Sequence, residues 1–258
     1  MRVVSLASGS KGNAYVVESD GRAMLIDCGL SCRELGKRLR AAGLGSEAIE
    51  AVVFTHSHDD HIRGLPVFHK NFPQATLFAN LMTAESVASI VGVDEGDFCC
   101  FENGQAFEIG PFEVSPFAIP HDTSDPVGYL VRDAAAAYFH GTDIGTPLDS
   151  VGVKLAEADF ATLESNHDPV MLRTSGRPPS LIQRIAGPRG HLSNDQSCDL
   201  VRRFASPRLK RLALAHLSRD CNTPSLAAGA MKATLSEIRR NDIELKILPQ
   251  DEVMEICA

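Results

Sequence analysis

Val52-Val53-Phe54-Thr55-His56-Ser57-His58-Asp59-Asp60-His61-Ile62 carries an apolar run straight into a cluster of imidazoles and carboxylates. Ala51–Phe54 reads as a short buried strand and Ile62-Arg63-Gly64-Leu65 opens the next element. The cluster therefore falls at the C-terminal end of a strand, where α/β sheets present their ligands. An imidazole that need not be charged at neutral pH is a good donor to a borderline-soft divalent cation. His56, His58, Asp60 and His61 are spaced i, i+2, i+4 and i+5, which suits a tight loop better than a helix, since one helical face cannot gather all four. The stretch predicts a metal site.

Upstream, residues 2–6 and 14–18 have the patterning of strands. Between them, Ser8-Gly9-Ser10-Lys11-Gly12-Asn13 reads either as a plain hairpin connection or as a loop whose backbone N–H groups hold an anion; it lacks the spacing of a P-loop. Ala23–Ile26 is a further strand, and Asp27 at its end reads as a carboxylate that braces the loop. A helix is predicted over Ser31–Ala41.

Downstream, a helix to about Asn71, a strand at Thr76–Ala79 and a helix at Leu81–Val91 precede short strands at Phe98–Phe101, Ala106–Ile109 and Phe112–Ile119. The last delivers Pro120-His121-Asp122. Val127–Val131 and Ala135–His140 read as a hairpin leading into Gly141-Thr142-Asp143-Ile144-Gly145, where an isolated carboxylate is either a ligand or an Asx-turn. Asp159–Leu163 is a strand ending in Glu164-Ser165-Asn166-His167-Asp168. Helical stretches follow near Val170–Thr174 and Pro179–Ile185, and Ser193 or Asn194 caps a helix running to Phe204. The strand Leu212–Ala215 ends at His216-Leu217-Ser218, a helix covers about Pro224–Arg239, and strands at Leu245–Leu248 and Val253–Ile256 close the chain. No linker, repeat or low-complexity tract interrupts this order, so residues 1–258 are expected to form one domain.

A chain of 258 residues can bury a sizeable core. Its seven cysteines, an odd number without a C-x-x-C pair, argue against a disulfide framework and fit a reducing compartment. No apolar stretch is long enough for a signal peptide or a membrane span, so a cytoplasmic protein without membrane contact is expected. The net charge of -8 does not announce a nucleic-acid partner, but it conceals an asymmetry. Asn71 to Val131 lacks Lys and Arg, whereas Leu172 to Arg211 holds Arg173, Arg177, Arg184, Arg189, Arg202, Arg203, Arg208, Lys210 and Arg211 against Asp195 and Asp199. The basic stretch reads either as a face for a phosphate backbone or as ordinary solvated helix surface.

The motif H-x-H-x-D-H at 56–61, followed by His121, Asp143 and His216 at successive strand ends, resembles the metallo-β-lactamase superfamily over the whole chain. The resemblance implies an α/β fold, a four-layered αβ/βα sandwich. It implies two divalent metal ions, one on His56, His58 and His121 and the other on Asp60, His61 and His216, with Asp143 bridging. His167 and His191 compete with His216 for the last position; the run Leu212-Ala213-Leu214-Ala215-His216-Leu217-Ser218 favours His216. A hydrolytic centre with a metal-bridging hydroxide as nucleophile follows, with Asp60 holding that hydroxide in line. Zinc suits the histidine and carboxylate ligands best, while manganese or iron can use the same set.

Asp143 stands where true β-lactamases have cysteine. The segments around Glu164, His191 and His216 are similar to those of the phosphodiesterase branches, in which a histidine like His191 sits beside the scissile phosphate; His167 is a second candidate for that chemistry. Together with Ser8–Asn13 and Asn222, the set looks most like the YycJ/WalJ group, although Cys221 departs from that group's paired asparagines. This implies a 5′-to-3′ exonuclease acting on DNA ahead of RNA, with Ser10, Asn13, Ser193, Asn194, Ser218, Asn222, Arg184 and Arg189 as substrate-binding candidates and a homodimer as a family-level expectation. A hydrolase of a small phosphodiester or ester is the alternative. The 22 positions from His121 to Asp143 leave no room for a tRNA-binding arm.

Overall fold

Two strand-rich halves stack face to face in the computed structural model, which describes residues 1–257. The first half comprises β1 (Arg2–Ala7), β2 (Ala14–Ser19), β3 (Arg22–Ile26), α1 (Cys32–Ala41), β4 (Ile49–Val53), α2 (Asp59–Ile62), α3 (Leu65–Asn71), β5 (Thr76–Asn80), α4 (Leu81–Val91) and β6 (Phe98–Phe101). The second comprises β7 (Phe107–Ile109), β8 (Phe112–Ala118), β9 (Val127–Arg132), β10 (Ala137–Gly141), α5 (Asp149–Ala156), β11 (Phe160–Glu164), α6 (Pro169–Arg173), α7 (Pro179–Ala186), α8 (Asn194–Phe204), β12 (Arg211–Ala215), α9 (Pro224–Glu237) and β13 (Glu244–Ile247), after which β14 (Met254–Cys257) returns to the first sheet. The strand orders are β14-β1-β2-β3-β4-β5-β6 and β13-β12-β11-β10-β9-β8-β7. In each sheet, hairpin-connected antiparallel strands give way to parallel ones, β3 to β6 and β10 to β13.

The burial patterns explain the layers. The parallel strands β4, β11 and β12 are apolar on both faces and are covered on both. Between the sheets, Tyr15, Met24, Ile26, Val53 and Ile256 meet Tyr129, Tyr138 and Ala213. Outside the first sheet, Leu35, Leu39, Leu65, Phe68, Ala84 and Val87 pack from α1, α3 and α4; outside the second, Val151, Leu155, Leu200, Val201, Met231 and Leu235 pack from α5, α8 and α9. The layers run α, β, β, α, the α/β sandwich expected from the sequence.

Three local differences have physical causes. Residues 59–62 wind into the short helix α2, with His58 at its N-cap, instead of staying wholly in a loop. Strand β10 starts at Ala137, because the Asp133 carboxylate accepts the N–H groups of Ala135 and Ala136 and turns them out of the ladder. Helix α9 stops at Glu237, short of Arg239, whose left-handed φ of 56° ends the winding. Helix α5, eight residues long, is an element that the sequence pattern had not suggested. Among the described residues, no helix is long and apolar enough to cross a membrane.

Candidate metal centre

Every conspicuous donor lies just beyond, or at the end of, a strand. β4 runs out into Thr55, His56 and α2; β8 leads to His121, β10 to Asp143 and β12 to His216, and Glu164 is the last residue of β11. Asp27, Asp143 and His216 all have left-handed φ values, 63°, 59° and 56°, uncommon for non-glycine residues. Backbone held in this region at three points of one cluster is strain that the surrounding sheets sustain. Helix α2 is pressed against the 27–30 turn so closely that a Cβ on Gly29 would lie 1.7 Å from the Asp60 carbonyl oxygen. In return, the Asp60 carbonyl accepts the Asn13 N–H at 2.7 Å.

The donors converge in four overlapping groups: His56, His58 and His121; Asp60, His61 and His216; His56, His61 and Asp143; and Asp143, Glu164, His191 and His216, each with ligand atoms within 4.8 Å of one another. Asp143 stands between the first two groups, its Oδ2 3.3 Å from His61 Nε2 and its Oδ1 3.7 Å from His121 Nε2. Asp60 Oδ2 is 3.7 Å from the Nε2 atoms of both His61 and His216.

Hydrogen bonds to the outward ring nitrogens decide which nitrogen each histidine turns inward. His56 Nδ1 meets Thr55 Oγ1 at 2.9 Å, His61 Nδ1 meets Asp27 Oδ2 at 2.7 Å, His121 Nδ1 meets the Gly190 carbonyl at 3.0 Å and His216 Nδ1 meets Glu164 Oε1 at 3.0 Å. These four therefore present Nε2. His58 is the exception: its Nδ1 lies 3.2 Å from His121 Nε2, inside the cluster, and its Nε2 lies 3.6 Å from Asp122 Oδ1. Asp27 also accepts the Thr55 N–H and hydroxyl, at 2.9 and 2.8 Å, which makes it the brace of the whole 55–61 segment.

The residues fit divalent cations. His56 Nε2, His216 Nε2 and Asp143 Oδ2 are shut away from solvent with no hydrogen-bond partner, and buried polar atoms are rarely left so. A cation at each end of the cluster would satisfy them. The donors are nitrogen and oxygen only, a set that suits zinc, manganese or iron. Two cations can each take three side chains, with Asp143 shared.

The charged groups of the cluster shift one another: burial would lower His61, but the Asp27, Asp60 and Asp143 carboxylates outweigh it and raise the imidazole well above its usual value. Burial would push the Asp143 carboxyl up, but His216 and His61 outweigh it and hold the group well below the ordinary carboxylate range. Asp60 is held at about 2 in the same way, against burial, by His61 and His216. Burial drives the His56 imidazole well below its usual value, and the neutral form is the one that binds metal.

The other candidates sort by their partners. His191 joins the cluster through Glu164, with Nδ1 2.8 Å from Oε1. His167 is buried outside every converging group, and its Nδ1 has no partner. Asn13 reaches Asp60 Oδ2 at 3.1 Å and His61 Nε2 at 3.0 Å while its Oδ1 accepts the Gly9 N–H. The Ser8–Asn13 loop spends the amides of Gly9, Gly12 and Asn13 on its own closure and on Asp60, leaving a hairpin connection rather than an anion cradle; Ser10 is exposed at its tip.

Ser193 caps α8 in a capping box with Gln196, Asn194 and Asn222 bond to one another and tie Ser165 to the 222 turn, and Ser218 Oγ accepts the Cys221 N–H. Arg184 is ion-paired with Asp122 at 2.5 Å, whereas Arg189 is exposed and has no ion-pair partner among the described residues. Most of the other basic residues of 172–211 are likewise paired, Arg177 with Asp220, Arg202 with Glu237, Arg203 with Asp149, Arg208 with Asp159, Lys210 with Asp242 and Arg211 with Glu244.

Glu164 had no assigned role in the sequence reading. It is fully buried and accepts from His191, His216 and the backbone N–H groups of Ile144 and Leu192. Burial opposes its charge, but His191 and its hydrogen bond outweigh that and hold the carboxyl at about 2. The available signal was a carboxylate ending an apolar strand, as at Asp27 and Asp143.

The arrangement has relatives. A family model described as a beta-lactamase superfamily domain matches residues 22–216. The exodeoxyribonuclease WalJ of Streptococcus pneumoniae serotype 2 is 31% identical over 235 residues, 90% of this chain and 87% of that protein. The exodeoxyribonuclease YycJ of Bacillus anthracis is 30% identical over 233 residues, 90% and 88% of the two chains. The crystal structure of the metallo-β-lactamase fold protein YhfI from Bacillus subtilis superposes with a TM-score of 0.72 over 99% of this chain and all of that one, at 16% identity. A match over most of the chain, joined to the His and Asp cluster at the strand ends, means that this protein belongs to the metallo-β-lactamase superfamily and is a metal-dependent hydrolase.

Proposed function

We propose that the chain is a dinuclear phosphodiesterase that removes nucleotides from DNA in the 5′-to-3′ direction. The observation that carries this reading is the buried Asp143 between two histidine groups, in a chain about 30% identical to two exodeoxyribonucleases along nine-tenths of its length. His56, His58 and His121 would hold one cation, Asp60, His61 and His216 the other, and Asp143 both. Two divalent ions there, zinc by preference, would supply Lewis-acid charge and lower the pKa of a bound water.

The remaining work falls to the chain's own groups. Asp60, fixed by Asn13 and by the packing of α2 on Gly29, orients the attacking water. His191 stands at the cluster with its Nδ1 on Glu164; burial opposes its charge, and the carboxylate outweighs burial and raises its pKa. Its Nε2 can then donate a proton toward the departing oxygen of the phosphodiester. His167, three residues after Glu164 and buried with an unpartnered Nδ1, is the second candidate for that chemistry. Arg189, exposed and without an ion-pair partner among the described residues, is a candidate contact for a phosphate of the strand.

A small phosphodiester is the second reading, favoured by the pairing of most arginines of the basic stretch with carboxylates. The test is incubation of the purified protein, with Zn or Mn restored, with 5′-labelled and 3′-labelled DNA and RNA oligonucleotides alongside bis-p-nitrophenyl phosphate. Early release of the 5′ label as mononucleotide, with progressive shortening of the 3′-labelled strand, is expected on DNA. Turnover of the small diester with intact oligonucleotides would replace this reading by the second.

A further inference from the structure

His58 is the histidine that turns Nδ1 inward, so its outward Nε2–H needs an acceptor to hold that orientation. The outward nitrogens of His56, His61, His121 and His216 have theirs in hydroxyl, carboxylate and carbonyl groups. The group that faces His58 Nε2 is Asp122, with Oδ1 at 3.6 Å. That oxygen is buried and accepts no hydrogen bond, while Oδ2 is gripped by Arg184 at 2.5 Å. Asp122 Oδ1 is equally 3.6 Å from His121 Nε2, and Asp122 does not join His56, His58 and His121 in the group whose donor atoms all lie within 4.8 Å of one another.

The grip comes from the surface: α7 has no buried residue, and the Arg184 side chain is 60% exposed. The same segment supplies the Gly190 carbonyl to His121, so α7 and its following turn reach two of the three histidines of this group.

We infer that Asp122, steadied by Arg184 of α7, is a positioning residue that fixes His58 with Nδ1 toward the cation held by His56, His58 and His121. The inference rests on the metal reading above and goes beyond it by giving Arg184 a role in metal retention instead of contact with a phosphate. Outer partners of metal-bound histidines typically change affinity by about 10- to 100-fold when removed.

The test is Zn2+ binding by the full chain, read by competition with a chromophoric chelator, for the wild type, Asp122→Asn, Arg184→Ala, His58→Ala and the Asp122→Asn/His58→Ala double variant. Two tight ions are expected in the wild type. Asp122→Asn should weaken one of them by roughly 10- to 100-fold and spare the other; Arg184→Ala, on a helix without buried residues, should weaken the same ion by less. In the His58→Ala background, Asp122→Asn should have no further effect. A two-ion wild type with an unchanged Asp122→Asn, or a variant in which both ions weaken alike, would overturn the inference alone. A wild type that binds no second ion would overturn the metal reading and the inference with it.

Discussion

Glu164 shows how much one buried carboxylate can organise. Its Oε1 serves both His191 and His216, and its Oε2 takes two backbone N–H groups, so a single side chain sets the orientation of a metal-group histidine and of the proposed proton donor. Glu164→Gln keeps the volume but removes the charge and turns one acceptor into a donor facing an N–H. At saturating metal, kcat should fall by about 10²- to 10³-fold, in the range of general acid catalysis, and the slower turnover should accompany weaker retention of one cation. Steady-state kinetics with metal analysis of the same preparation checks both. At this scale the His56–His61 motif was legible, because four donors in six residues need no tertiary information. Glu164 and Asp122 were not legible as partners, since their meaning lies in contacts to residues 27 to 62 positions away in the chain. The same holds for Arg184, whose charge invited a phosphate but whose nearest neighbour is Asp122.

At the scale of elements, the decisive feature is the close seating of α2 on the turn after β3. A Cβ on Gly29 would overlap the Asp60 carbonyl at 1.7 Å, so Gly29→Ala must push α2 outward and carry Asp60 and His61 with it. Overpacking of this kind costs about 1–3 kcal/mol, and a displacement of about 1 Å at a reacting group can cost about 10²-fold in rate. The contrasting substitution is Gly229→Ala in α9, where a Cβ meets nothing within 4 Å. It should stabilise by roughly 0.5–1 kcal/mol through helix propensity and leave kcat/KM unchanged. Thermal melts and kcat/KM for the two variants check these opposite signs.

Most elements could be read from apolar runs and caps, such as Ser193 before α8. Helix α5 could not: it is eight residues long, Gly152 interrupts it, and it is a helix because Val151 and Leu155 complete the layer against α8. A Cβ at Gly152 would lie 2.1 Å from the Phe204 ring, so the residue that weakens the helical signal is the one that the packing requires.

For the molecule as a whole, the two halves must stay in register, because each sheet contributes part of one His and Asp donor cluster. One polar tie across them is Ser19 at the end of β2, whose hydroxyl donates to Asp133 Oδ2 at 2.7 Å in the β9–β10 turn. Burial would raise the Asp133 carboxyl, but Ser19 and the amides of Ala135 and Ala136 outweigh it and hold it at about 2. A carboxyl lowered on folding stabilises the native state above its unfolded pKa, about 4, and loses that contribution as pH falls toward the folded value. Ser19→Ala should therefore destabilise at pH 7 by about 0.5–1.5 kcal/mol, with the gap from wild type closing between roughly pH 4 and pH 2. Urea midpoints across that range test it.

The four-layer architecture was foreseeable from the family resemblance that the motif order carries, whereas the surface charge balance was not. Runs of arginine say nothing about the carboxylates that folding brings beside them, and here Asp149, Asp159, Glu237 and Glu244 come from other elements.

The most direct measurement is elemental analysis of purified protein after equilibration with Zn2+ and removal of free ion. Two equivalents per chain are expected in the wild type, with loss of bound metal in Asp143→Ala, whose carboxylate faces both groups. A wild type that holds a single equivalent, or an Asp143→Ala variant that retains two, would contradict the shared-carboxylate centre.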